Sequence, residues 1–107
     1  MTRSVVYSPE AQDDLIRLYD YIAQHSGAMR ALAYTERVMA YCMGFAEFPK
    51  RGARRDDLRP GLRVTGFERR ITIAFHVSVD TVTIDRFLYG GRDVNAAFAD
   101  DDDRDQV

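Results

Sequence analysis

From Arg70 to Tyr89 the chain alternates between apolar and polar side chains in two runs, with one break at Asp80-Thr81. Ile71, Ile73, Phe75 and Val77 share one face of the first run, and Arg70, Thr72, Ala74 and His76 share the other. After the break, Val82, Ile84, Arg86 and Leu88 fall on one face and Thr83, Asp85, Phe87 and Tyr89 on its reverse. A period of two interrupted by a turn-length gap predicts an antiparallel hairpin. One face of such a hairpin is apolar and must be covered, which leaves the other for solvent or a partner.

The cover lies upstream. Ser8-Pro9-Glu10 is a helix start: a hydroxyl to cap the first amides, a proline where its missing N–H costs nothing, and an acid in the first turn. Ala11, Leu15, Leu18 and Ile22 then recur on one helical face, with Asp13, Asp14, Arg17 and Asp20 on the other side. His25-Ser26-Gly27 ends that helix. A second helix is predicted from about Ala28 to Phe48, with Tyr34, Val38, Tyr41, Phe45 and Phe48 along its apolar face and Pro49 as its stop. Val5-Val6-Tyr7 ahead of the helices, and Gly61 to Thr65 after them, read as further short strands. The fold expected is therefore α+β: an N-terminal strand, an antiparallel two-helix hairpin, then a three-stranded antiparallel meander forming one sheet with strand 1. With 107 residues there is one domain, residues 1–99, followed by an acidic tail, residues 100–107, read as disordered.

Charge is unevenly spread. Asp100 to Asp105 carries five acids and one arginine, while the remainder has 14 bases against 12 acids. Lys50, Arg51, Arg54, Arg55 and Arg59 crowd one connection, with Arg63 close behind. Arginine's planar fork suits carboxylates and phosphates, so this loop is either a solvated surface or a contact for an acidic segment. Direct binding to a specific nucleic acid by the chain alone is not expected, since no aromatic residues interleave with these arginines and net charge is -2. His25, His76 and the lone Cys42 offer no metal-ligand cluster, and there is no glycine-rich phosphate loop, so neither metal nor cofactor is expected. No apolar run is long enough for a membrane span or a secretory signal, which makes a cytoplasmic protein the expectation.

Five segments resemble the RelE/ParE superfamily of bacterial toxins. They are Tyr7-Ser-Pro-Glu-Ala-Gln-Asp-Asp-Leu15, Phe48-Pro-Lys-Arg-Gly52, Gly61-Leu62-Arg63, Arg70 to Val77, and Asp85-Arg-Phe-Leu-Tyr-Gly-Gly-Arg-Asp93, in that order. The resemblance implies a toxin of a type II toxin–antitoxin system. ParE-like members poison DNA gyrase and pair with a ParD-like ribbon-helix-helix antitoxin, whereas RelE-like members cleave messenger RNA on the ribosome.

RNA cleavage requires a base, an acid for the leaving oxygen and cations for the charged transition state. Of the RelE-like functional positions, one arginine aligns with Thr72, a tyrosine aligns near Phe98, and the strand-end arginine is retained as Arg92. This pattern favours the ParE-like branch, without a hydrolytic site of its own. Arg54, Arg59, Arg63, Arg70, Tyr89 and Arg92 are then candidate partner-binding residues. The rival reading is a RelE-like endoribonuclease using Arg92, Tyr89, His76 and Arg70, and a third is an inactive module kept for antitoxin binding. Arg86, placed by alternation among apolar residues, is expected near the sheet margin, paired with an acid such as Asp20 or Glu47.

Overall fold

The computed structural model describes residues 3–89 and 94–98. Strand β1 (Ser4–Tyr7) leads into helix α1 (Pro9–Ser26), and helix α2 (Ala28–Met43) returns antiparallel to it. A 3-10 turn (Gly44–Ala46) follows, then strands β2 (Ala53–Arg54), β3 (Leu62–Phe67), β4 (Ile71–Val77) and β5 (Thr81–Tyr89). They form one five-stranded sheet in the order β1-β5-β4-β3-β2. The expected α+β order stands, with two additions. β1 pairs parallel to β5, so the sheet is mixed, and two residues of the arginine-rich connection add the short edge strand β2.

Local sequence accounts for the helix ends. The Ser8 hydroxyl accepts from the Ala11 amide at 3.0 Å and donates to the Asp85 carbonyl at 2.9 Å, tying the start of α1 to the middle of β5. Gly27, at φ 96, makes the turn between the helices in a backbone region that other residues rarely enter. The second helix is shorter than the sequence suggests. It tightens into a 3-10 turn after Met43, so the period drops towards three per turn and Phe48 swings out to solvent instead of joining the apolar face. There Phe48, Tyr41 and Phe45 surround the Arg51 guanidinium at 5.5–5.8 Å.

The core lies between the helices and one face of the sheet. Ile71, Ile73 and Phe75 of β4 and Val82, Ile84 and Phe87 of β5 pack against Ala11, Leu18, Tyr34, Val38, Cys42 and Phe45. Phe45 and Phe75 stack at 4.4 Å. The alternation expected in β5 fails halfway. Ala74 pairs with Arg86 but Phe75 with Ile84, so Asp85 is the extra residue of a β-bulge. One inserted residue exchanges the faces of everything after it, so Phe87 and Tyr89 join Val82 and Ile84 on the helix side.

β1 stops pairing at Ile84, and past that point α1 itself closes the open edge of β5. Asp14, read from the sequence as an outward residue, is buried there. Its carboxylate accepts from the Phe87 amide at 3.0 Å and from the Arg86 guanidinium at 2.7 and 3.0 Å. Arg86 is therefore paired at the sheet margin as expected, but with Asp14 instead of Asp20 or Glu47. Spacing explains the choice: Asp14 lies three residues after Ala11 and four before Leu18, on the face that meets the sheet.

The opposite face of the sheet is not bare. Leu62, Ala74 and Phe98 form a second small cluster with Leu58, Val64, Val94 and Ala97, so the helical residues 94–98 cover part of it. The hairpin turn between β4 and β5 spans Ser78 to Asp80, with Thr81 already in the strand. The tail from residue 100 and the Gly90-Gly91-Arg92-Asp93 segment lie outside the described residues.

Candidate partner-binding site

The helical hairpin ends over the β3–β4 turn, and a groove of about 480 Å³ opens between them. The end of α1 supplies Tyr21 and His25, the start of α2 supplies Arg30, Tyr34 and Arg37, and the sheet supplies Glu68, Arg70 and Tyr89. Tyr89 reaches it because the bulge at Asp85 turned it to the helix side; its ring lies 5.4 Å from Tyr21, which in turn stacks on His25 at 4.2 Å. Arg70 reaches it through an unusual turn. Glu68 and Arg69 both adopt left-handed backbone angles, φ 50 and 58, and the Arg70 amide bonds back to the Phe67 carbonyl at 3.1 Å. Two-residue turns of this hand normally use asparagine or glycine, so this one carries backbone strain. What offsets it is visible: Glu68 receives two hydrogen bonds from Arg37, at 3.0 and 3.1 Å, which hold its carboxyl below the usual carboxylate range.

A second groove, about 460 Å³, lies at the other end of the sheet. Arg54 and Arg63 stand opposite one another on β2 and β3, with Arg3 and Lys50 nearby and Val79, 94% exposed, on its rim. Arg54 pairs with Asp56 at 2.9 Å, and Arg63 reaches the Arg51 carbonyl at 3.4 Å.

Arg59 belongs to neither groove. It stands over the Phe98 ring at 4.8 Å and within 3.9 Å of Asp85. His76 approaches the same carboxylate at 2.8 Å through Nδ1. Burial raises the Asp85 pKa, and the bond from His76 works against that rise.

The candidate residues thus divide three ways: Arg70 and Tyr89 in the first groove, Arg54 and Arg63 in the second, Arg59 with His76 on the face away from the helices. Arg92 lies outside the described residues. His76 and Tyr89 are not brought together. Tyr89 pairs with Ile71 at one end of β4, whereas His76 sits five residues along that strand, about 16 Å away at ~3.3 Å per residue, and on the opposite face. Tyr21, Arg30 and Tyr34 were missed as site residues, because helix periodicity read Tyr34 only as core. The signal available was a tyrosine where phenylalanine would have filled the same space.

Strand order, helical hairpin and arginine-lined grooves define a small α+β domain with two basic grooves, and comparison with known proteins gives the family. The profile for the ParE toxin of type II toxin-antitoxin systems, parDE, matches residues 5–94, and the chain belongs to that family. Among solved structures, one described as the chromosomal ParDE TA system from P. aeruginosa matches with a TM-score of 0.71 and 24% identity, over 82% of this chain and 96% of that one. At that identity the likeness speaks to the fold. No curated protein matches the chain.

Proposed function

We propose that this chain arrests growth by binding and poisoning DNA gyrase in the cytoplasm, and that a ParD-like ribbon-helix-helix antitoxin neutralises it. Membership of the ParE family supports the toxin role. The observation that carries the choice of binding over hydrolysis is the separation of His76 from Tyr89. An acid and a base that serve one phosphodiester must both come within hydrogen-bond reach of it. His76 is instead held by Asp85 on the far face. Phe98, near where a ribonuclease tyrosine would fall, is buried in an apolar cluster and has no hydroxyl to offer. The arginines and exposed apolar residues of the two grooves suit an acidic, partly apolar protein segment.

The rival, an endoribonuclease using Arg92, Tyr89, His76 and Arg70, draws on the groove that Tyr89 and Arg70 share. Primer-extension mapping of transcripts in cells expressing the chain separates the readings. The binding toxin leaves transcripts uncut while growth stops; codon-positioned cuts that vanish in Arg92→Ala would establish the nuclease instead.

A further inference from the structure

The first groove contains a polar atom that the fold leaves unused. Tyr34 is only 6% exposed, and among the described residues its hydroxyl has no hydrogen-bond partner. A buried unpaired hydroxyl is costly, and native structures retain few of them without a reason. Tyr34 lines the groove together with Glu68, Arg70 and Tyr89, and burial, with the Glu68 charge adding to it, raises the pKa of its hydroxyl.

A second feature points the same way. α2 begins at this groove, with Ser26 and Arg30 in its wall. Its N-cap is Gly27, which offers no side chain to the first amides, and no acid stands in the first turn. The first amides of this 16-residue helix are therefore left without a side-chain cap here. Arg30 adds a cation at that end, and Arg70 adds another from the sheet. Among the described residues neither makes an ion pair, whereas Arg37 is already satisfied by Glu68.

We propose that this groove is a subsite for one carboxylate of an acidic peptide segment, with the Tyr34 hydroxyl, Arg30 and Arg70 as its donors. The inference rests on the reading that the toxin is captured by a protein partner, and it names the chemistry by which this groove takes part. A peptide is favoured over nucleic acid by charge. Glu68 sits in the same groove and would repel a run of phosphates, but it tolerates a single acid flanked by apolar residues, for which the rings of Tyr21 and Tyr89 provide contact.

The test is an amide chemical-shift titration of the full-length chain, free of antitoxin. The probes are a blocked heptapeptide of leucine and alanine with one central glutamate, the same peptide with glutamine, and hexauridylate. The glutamate peptide should shift residues 26–34, 68–70 and 89. The glutamine peptide should bind about tenfold more weakly, as expected when a charge-assisted hydrogen bond is lost. Tyr34→Phe should weaken the glutamate peptide about fivefold or more, yet melt at or above the parent temperature, because it removes an unpaired hydroxyl and keeps the ring. Equal binding of the two peptides, hexauridylate displacing the glutamate peptide, or a Tyr34→Phe variant that binds normally or melts lower would each overturn the proposal. Since only the isolated chain is used, a failed gyrase assay leaves this result standing, and a failed titration leaves the toxin's activity untouched.

Discussion

Arg86 and Asp14 show how one pair can close a sheet edge. Asp14 is almost fully buried and serves the Phe87 amide as well as the guanidinium. Arg86→Ala would leave that carboxylate in the interior with its cation gone, so we expect a loss of about 2–4 kcal/mol in denaturant melts, at the lower part of the range for broken buried pairs because Arg86 is itself partly exposed. A strained position predicts the opposite sign. Arg69 holds a left-handed backbone at φ 58 without being glycine, and Arg69→Gly should stabilise by about 0.5–1 kcal/mol once the extra freedom of the unfolded chain is deducted. Cys42 sets a pH limit. Burial pushes its thiol from 9.0 up to about 12, and burial likewise carries the neighbouring Tyr7 hydroxyl from 10.0 to about 12. Above pH 9 the unfolded chain releases a proton that the fold retains, so stability present below pH 9 should drain away as pH rises towards 12. Cys42 should also resist iodoacetamide at pH 8 until the protein is unfolded. Rapid native-state alkylation would contradict its burial.

Elements were legible wherever local chemistry punctuates them. Ser8-Pro9 starts α1 and Gly27 ends it, because capping and left-handed backbone are decided within a few residues. The face of β4 was equally plain, since its apolar residues alternate without interruption. β5 was misread after Ile84, because nothing in Asp85-Arg86 signals a bulge: the inserted residue is specified by the Ser8 hydroxyl and the helix start that dock on it from 77 positions away in sequence. Likewise the sequence put Arg70 and Tyr89 at strand ends and named them as candidates. It could not show that the junction of the helices, with Tyr21, Arg30 and Tyr34, would meet them, since that approach is tertiary. The helix–sheet contact has its own test. Phe45 is fully buried against Phe75, and Phe45→Ala should cost about 3–5 kcal/mol. A loss below about 1 kcal/mol would show that the 3-10 turn after α2 does not press Phe45 onto the sheet.

At the scale of the whole molecule, basic residues gather in two separated grooves, one at the turn of the helical hairpin, where tyrosines join them, and one beside the β2 edge. This separation gives a partner that wraps the toxin two distant points of attachment, and a toxin freed of its partner two surfaces to offer a target. The central claim is that those surfaces act by gripping gyrase. Its most direct test adds the purified chain, without antitoxin, to gyrase, ATP and relaxed plasmid, and follows supercoiling and trapped cleaved DNA on a gel. Loss of supercoiling with linear plasmid accumulating in proportion to toxin is the predicted result. Undiminished supercoiling, with no cleaved plasmid at toxin in excess over gyrase, would contradict the account.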